Sequence, residues 1–184
     1  NTSTESLINI LKTMNKFNPG KFDDILETLA NVQGAINKAI NVLNTVKENG
    51  KLLEFASDEL RNDREIVLEA VKNNAEALEF ASDNLKGDRE IVYDSVSRLG
   101  WTYCYAKENL LLDKELLLAG LKISGQILYY SHPSMRDDKE VVLEAVKNKG
   151  IIVKYASNRL REDKDVALEA MKQDKRCYIF LGEK

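Results

Sequence analysis

The chain has 184 residues, of which 43 % are hydrophobic and 31 % are charged, and its formal net charge at pH 7 is −3. This composition is that of an ordinary folded protein and excludes a low-complexity chain. The acidic balance disfavours general phosphate-backbone binding, and no apolar run is long enough for a membrane-spanning helix.

Two amphipathic helices are predicted at the N-terminus, over residues 5–17 and 22–47. Leu7, Leu11 and Met14 lie along one side of the first helix. The sequence Asn18-Pro19-Gly20 separates the two helices, because Pro and Gly in this order end a helix.

The second of these helices has an a/d heptad pattern. Its apolar positions are Phe22, Leu29, Ile36 and Leu43, and Ile25, Val32, Ala39 and Val46. Such a pattern suits either a coiled-coil dimer or a helix that packs within its own chain. The flanking positions lack the charge pairs that select coiled-coil partners, which favours packing within the chain. We therefore expect residues 1–49 to form a helical cap on the repeats that follow.

A short motif then recurs every 25 residues without insertions. It reads Asp-Arg-Glu-Ile-Val in its first copy, and its copies start at Asp63, Asp88, Asp113, Asp138 and Asp163. The Asp suits a helix N-cap, the next acidic residue favours the helix dipole, and a wide apolar face follows. A fixed period of this size predicts an all-α solenoid of stacked two-helix units over residues 50–184.

The first helix of each unit is predicted to end at a position that is glycine in four copies. These are Gly50, Gly100, Gly125 and Gly150, with Ala75 and Lys175 as exceptions. A left-handed glycine just after the last helical residue is a common helix stop.

A second, shorter helix follows, and it carries an aromatic residue at one position in every copy. These residues are Phe55, Phe80, Tyr105, Tyr130, Tyr155 and Phe180. The next residue is small in most copies, so we expect the rings to be buried where neighbouring units interlock.

The run from Leu53 to Lys72 reads Leu-Glu-Phe-Ala-Ser-Asp-Glu-Leu-Arg-Asn-Asp-Arg-Glu-Ile-Val-Leu-Glu-Ala-Val-Lys. It resembles the repeat of the domain of unknown function 4116, and the resemblance covers about residues 50–184. The resemblance implies a short-helix solenoid module. That family has no assigned activity or catalytic motif, so the resemblance implies no functional residues.

No motif for catalysis, a cofactor or a metal is found in the sequence. His132 lies in a turn and is expected to be a surface residue, and Asp138 is already explained as a helix cap. Cys104 and Cys177 have neither equivalent positions nor metal-like spacing, so we expect no disulfide. We therefore predict a non-enzymatic protein without cofactor or metal, in a reducing, cytoplasmic location. The chain starts without Met and ends within a repeat, which is typical of a piece of a longer protein.

The copies of the repeat act as controls for each other, and the middle copies depart from the pattern. Two positions on one face of the second helix are charged in early copies, as at Glu76 and Glu79, but aromatic or apolar in the middle. Leu111 and Leu112 also replace polar residues of other copies in one turn, and Ile123 replaces a polar residue at the end of one first helix. The candidate partner-binding residues are Trp101, Cys104, Leu111, Leu112, Ile123, Tyr129 and Ile151.

Exposed aromatic and apolar residues often mark contact sites, so three interpretations of this surface are open. It binds a partner, it is covered by the N-terminal helices, or it associates with itself. We predict a module that binds a protein or peptide through the central second-helix surface. The alternative is a structural or oligomerisation segment that uses helix 22–47 or the C-terminal end.

A membrane or nucleic-acid partner is not expected. Lysines recur at one position of the first helix, but a glutamate precedes several of them by three residues, which predicts pairing on a solvated face. The lysines are Lys72, Lys122, Lys147 and Lys172, and the glutamates are Glu69, Glu144 and Glu169.

Overall fold

Helices form all the regular structure of residues 2–182, which are the part of the chain described by this computed structural model. The chain divides into two units, residues 1–44 and 45–184. The sequence predicted a cap over residues 1–49 and repeats over residues 50–184. The described part leaves out residue 1 of the cap and residues 183–184 of the repeats. The prediction of an all-α fold with tandem helical repeats is confirmed.

The N-terminal helices are α1 (Thr2–Phe17) and α2 (Asp23–Glu48), where the sequence predicted 5–17 and 22–47. Gly20 in the turn between them has a φ of 84°, a left-handed conformation that favours glycine. The Asn15 side chain holds this turn, because its Nδ2 donates to Asp23 Oδ1 at 2.6 Å and its Oδ1 accepts from the Phe22 N–H at 3.3 Å. The last residues of α2, from Thr45 onward, belong to the second of the two units, the one that contains the repeats.

Each repeat begins with an α-helix, which we call its first helix. These are α3 (Arg64–Asn73), α4 (Arg89–Val96), α5 (Lys114–Ile123), α6 (Lys139–Asn148) and α7 (Lys164–Gln173). The predicted Asp is the N-cap of every one of them, and its carboxylate accepts hydrogen bonds from backbone N–H groups of the first turn. The apolar face that follows is buried, as at Ile66, Val67, Ala70 and Val71.

The second helices are six-residue 3-10 helices. They span Gly50–Phe55, Ala75–Phe80, Gly100–Tyr105, Gly125–Tyr130, Gly150–Tyr155 and Lys175–Phe180. A turn with one short helix leads from each second helix to the next first helix. These turn helices are Asp58–Arg61, Leu85–Gly87, Glu108–Leu110, Met135–Asp137 and Asn158–Arg161.

The recurring glycines do not end the first helices in a left-handed conformation, so that prediction is wrong. Within residues 2–182, Gly20 alone has a positive φ. Glycine is needed instead because the backbones of neighbouring units approach closely. A Cβ atom on Gly125 would lie 2.5 Å from the carbonyl oxygen of Ala145 in the next unit, and Gly50, Gly100 and Gly150 face the next first helix in the same way.

The basic residue after each Asp joins its unit to the next one. Arg89 Nε donates to Asp113 Oδ2 at 2.6 Å and its guanidinium also pairs with Glu115. Equivalent bridges run from Arg64 to Asp88 and Glu90, from Lys114 to Asp138 and Glu140, and from Lys139 to Asp163 and Asp165. The recurring Asp-Arg/Lys-acid motif is therefore both a helix cap and a junction between units.

Asparagine side chains form a second kind of junction. Asn148 Oδ1 accepts from the Gly125 N–H at 2.9 Å, and its Nδ2 donates to the Lys122 carbonyl at 3.3 Å. Asn73 makes the same two contacts, to Gly50 and Lys47. One side chain thus closes the gap between the first and second helices of the preceding unit.

The glycine positions give a matched pair of substitutions. Gly125→Ala places a methyl group against the Ala145 carbonyl, and overpacking of this kind costs about 1–3 kcal/mol of unfolding free energy. Gly34→Ala lies in α2 with no neighbouring atom within 4 Å and replaces a poor helix former, so we expect a gain of up to about 1 kcal/mol. Urea denaturation followed by circular dichroism measures both. Equal stability of Gly125→Ala and the wild type would contradict the close-approach explanation.

The Asp junctions predict loss of stability in acid. Partial burial opposes ionisation of Asp138, but hydrogen bonds from Lys114 and from the first-turn N–H groups outweigh it and hold its pKa below the ordinary value of 3.8. Since the folded-state pKa is the lower one, ionised Asp138 stabilises the fold above about pH 4, and this contribution is lost as the pH falls through the folded-state pKa. Asp138→Asn keeps a capping side chain but has no charge, so its unfolding free energy is expected to fall less steeply on acidification.

The control for this prediction is Asp63→Asn. Asp63 caps its helix in the same way, because its carboxylate accepts from the N–H groups of Glu65 and Ile66. In the described part of the chain it forms no ion pair with a preceding unit. Denaturant midpoints across the acid range should therefore separate Asp138→Asn from both the wild type and Asp63→Asn. Identical pH profiles for the two variants would show that the ion pair adds nothing.

Candidate partner-binding site

The candidate site lies on the surface formed by the second helices. A 3-10 helix has three residues per turn, so its second and fifth residues point the same way. In Gly100–Tyr105, the third and fourth residues, Thr102 and Tyr103, are buried. The second, fifth and sixth residues of each second helix form the outer surface, which we call the second-helix face.

The recurring aromatic residue is the sixth residue of each second helix, and the prediction that its ring is buried is wrong. Phe55 is 78 % exposed, Tyr130 is also exposed, and Phe80 is only half-buried. The buried residue comes two positions earlier, as at Leu78. The prediction failed because a recurring residue type does not show which side of a short helix faces the core, and the sixth residue is the last one of its helix.

Trp101 and Tyr129 occupy exposed positions on neighbouring second helices. Trp101 is 38 % exposed and makes an edge-to-face contact with Tyr105 at 5.6 Å between ring centroids. Tyr129 is 53 % exposed, and its centroid lies 5.0 Å from those of both Tyr130 and Tyr155. Contacts within the face therefore fix both rings while leaving them accessible.

A groove between two second helices brings Tyr129 and Ile151 together. Gln126, Tyr129 and Tyr130 of Gly125–Tyr130 form one wall, and the other consists of Lys149, Ile151, Ile152, Lys154 and Tyr155. The Lys154 ammonium lies 4.8 Å from the centroid of the Tyr155 ring, within cation–π range. Of the predicted site residues, Tyr129 and Ile151 line this groove.

Ile123 lies beside the helix that carries Trp101. It ends α5, it is exposed, and its Cβ is 3.2 Å from where a Cβ on Gly100 would lie. It occupies the position of Asn73 and Asn148, but its side chain cannot make their hydrogen bonds. The second-helix face therefore gains apolar surface where other units have a polar junction.

Leu111 and Leu112 belong to the row of turns rather than to the second helices. Leu111 is half-buried, and its carbonyl accepts from the buried Tyr103 hydroxyl at 3.3 Å. Leu112 is exposed. The structure thus places these two candidates in a different part of the unit from Trp101 and Tyr129.

Cys104 is exposed on the second-helix face and is a free thiol. Partial burial, with a smaller contribution from Glu79, raises the pKa of this thiol above its ordinary value. The protonated form therefore dominates at neutral pH, and a thiol in this state is a weak nucleophile. Its environment suits contact with a partner better than chemistry.

The charge of the second-helix face changes along the array. Glu54, Glu76 and Glu79 lie at the N-terminal end, and Lys51 pairs with Glu76 there. Burial and then a hydrogen bond with Glu79 raise the pKa of Tyr105 to about 12. The middle carries uncharged aromatic residues, and the next unit carries Lys149 and Lys154. The face therefore runs from acidic through aromatic to basic.

Lys149 and Lys154 were missed as site residues, although the sequence contains the signal. Other copies have Asn49 and Asn74 at the position of Lys149, and Glu54 and Glu79 at that of Lys154. The comparison of copies treated any charge as a sign of exposure. Comparing the sign of the charge would have identified Lys154, and Lys149 stands out because it is charged where Asn49 and Asn74 are neutral.

The other sequence candidates have ordinary structural roles. The His132 ring bonds to Ser134 within an exposed turn. The recurring lysines Lys72, Lys147 and Lys172 pair with the glutamates three residues before them. Across residues 2–182, no cluster of three His, Cys, Asp or Glu side chains is placed to hold a metal ion. The described helices also include none with the length and apolar character needed to cross a membrane.

Comparison with protein families gave one match. The profile of the family described as "Domain of unknown function (DUF4116)" matches residues 42–86, 88–136 and 138–184. The three matches follow one another and together cover most of the chain. No curated protein and no solved structure matched the chain.

Proposed function

Since the chain belongs to the DUF4116 family, whose description states no function, we propose from its own surface that it is a non-catalytic module that binds a protein or peptide partner. The contact surface is the central part of the second-helix face. The supporting observation is that Trp101 and Tyr129 are exposed on neighbouring units at positions where other copies carry charged residues.

The early copies indicate that folding alone does not require these rings. Lys51 and Glu76 occupy the position of Trp101 in their own units, and they form an ion pair on the surface. An aromatic residue at such a position exposes apolar surface without completing the core. Trp and Tyr are also the residues that most often anchor protein contacts.

The fixed orientation of the rings supports binding. Tyr129 lies between Tyr130 and Tyr155, and Trp101 rests on Tyr105. A partner that docks on rings already held in place loses less side-chain entropy than one that must order them. A cytoplasmic location and the lack of any cofactor are part of this proposal.

The test replaces both rings. Trp101→Lys with Tyr129→Lys should change the unfolding free energy by no more than about 1 kcal/mol, because both side chains are partly exposed. The variant should nevertheless lose a partner that the wild-type chain retains in a pull-down from a lysate of the source cell. Circular dichroism checks that both proteins are folded.

The matched control is Tyr93→Lys with Leu168→Lys, which removes two other exposed large side chains, from the first helices α4 and α7. This control should retain the same protein. Equal capture by all three chains would move the site away from the central second-helix face.

Self-association through α1 and α2 is a second candidate function, and one observation favours it. Large apolar side chains of both helices are exposed, and Val46 is the one described residue of α2 that is fully buried. The exposed residues are Leu7, Ile10, Met14, Phe17, Ile25, Val32, Ile36 and Ile40. A two-helix segment with such a face suits association with a second copy.

This candidate predicts a change in mass. The wild-type chain should be a dimer or larger in light scattering at micromolar concentration, and Val32→Lys with Ile36→Lys should be monomeric with an unchanged array. A wild-type chain that stays monomeric as its concentration rises would rule out self-association.

A further inference from the structure

We propose that the groove between Gly125–Tyr130 and Gly150–Tyr155 selects the partner, and that its ligand is an acidic peptide segment with Asp or Glu next to apolar or aromatic residues. This inference rests on the proposed function and specifies the chemistry of the partner. The evidence is the set of side chains that line the groove, the positive charge of the groove, and the lack of an ion pair from either of its lysines to a described carboxylate.

The lining suits apolar side chains next to a charged group. Tyr129, Tyr130 and Tyr155 provide ring faces and edges, and Ile151 and Ile152 provide aliphatic surface. The Tyr129 ring contacts the rings of both Tyr130 and Tyr155, so the apolar part of the groove is already formed without a ligand.

The charge of the groove is positive. Lys149 and Lys154 are its charged residues, and no carboxylate lines it. Neither lysine forms an ion pair with a described carboxylate, whereas the nearby Lys139 pairs with Asp163 and Lys147 with Glu144. Acidic side chains of a partner would therefore meet two cations without a competing internal partner.

Lys149 occupies a position whose side chain caps the second helix in some copies. Asn49 and Asn74 cap their second helices by accepting hydrogen bonds from Lys51 N–H and Glu76 N–H. Lys149 precedes its second helix in the same way and makes no side-chain cap, and Leu99 and Ser124 in the two units before it make none either. The missing cap is therefore common to the central units, and Lys149 differs from the other copies in the positive charge that it brings to the groove.

Lys154 departs from the pattern in a different way. Glu54 and Glu79 occupy its position in the early units, so this unit reverses the charge. Its ammonium lies over Tyr155 rather than beside a carboxylate. Neither lysine bridges two units as Lys114 and Lys139 do, so both charges are available to a ligand.

The rest of the face favours a peptide over a nucleic acid. Aromatic rings beside lysines also occur in single-strand binding proteins, but such proteins follow the phosphate backbone with a continuous positive groove. Here the face becomes acidic at Glu76 and Glu79, where a continuing phosphate chain would be repelled. A short acidic segment needs only the local pair of lysines.

The experiment uses labelled synthetic peptides of about ten residues, a length that can lie across neighbouring units in an extended form. All share a central Leu-Phe-Leu and are flanked by Glu, by Lys or by Ser. Fluorescence anisotropy should show the Glu-flanked peptide binding at least about tenfold more tightly than the Ser-flanked one, a difference of about 1.4 kcal/mol. A thymidine oligonucleotide of similar length should bind more weakly than the Glu-flanked peptide.

A charge swap provides the decisive comparison. Lys149→Glu with Lys154→Glu should lose the preference for the Glu-flanked peptide and gain one for the Lys-flanked peptide. Lys122→Glu with Lys164→Glu makes the same change in net charge at two other exposed lysines, which do not line the groove, and should keep the wild-type preference. Melting curves check that both variants are folded.

Three results would overturn the inference: similar affinity for all three peptides, tighter binding of the oligonucleotide, or an unchanged preference in the charge-swapped variant. The proposed function can survive this failure. If a cellular partner depends on Trp101 and Tyr129 while the Glu-flanked peptide shows no preference, the module binds a partner that is not acidic. If the chain binds neither the peptides nor a partner through those rings, both proposals fall.

Discussion

Each first helix of the array begins at an Asp, and in four of the five copies this Asp serves two units at once. Within its own unit the carboxylate caps the helix, and in the four later copies it also accepts from the Arg or Lys of the unit before. A unit of 25 residues is too small to bury a core alone, so its stability depends on such junctions. The constant period follows from this constraint, because an insertion would separate the cap from its cation.

The sequence predicted most of the architecture because the copies repeat the same local rules. The Asp caps, the apolar faces of the first helices and the succession of two helices per unit follow from capping preference and periodicity. Gly125 and Phe80 show where this reasoning stops. The glycine is required by a carbonyl in the next unit, and the exposure of the aromatic ring depends on which side of its short helix faces the core. The residues nearby in the sequence show neither.

The candidate site was predicted less completely for a related reason. Trp101 and Tyr129 stand out from the other copies by their chemistry alone, whereas the groove depends on which side chains two neighbouring units bring together. Lys149 looks ordinary in a chain rich in charge until its place beside Lys154 in the groove is seen. Leu111 and Leu112 are equally unusual in sequence, but the structure places them in the turns. Comparison of the copies identifies an unusual residue, but only the structure shows which side chains of the adjacent unit lie beside it.

The division of the second helices into buried and exposed positions has a consequence for how the proposed binding surface can change. In the four second helices from Ala75 to Tyr155, the third and fourth residues point inward and the second, fifth and sixth point outward, so the outer side chains form a regular pattern over the stack. A substitution at one of these exposed positions changes one outer side chain and leaves the buried residues beneath it in place. Mutations that retune partner preference are thus largely separated from those that affect folding, and the array can acquire a new specificity one unit at a time.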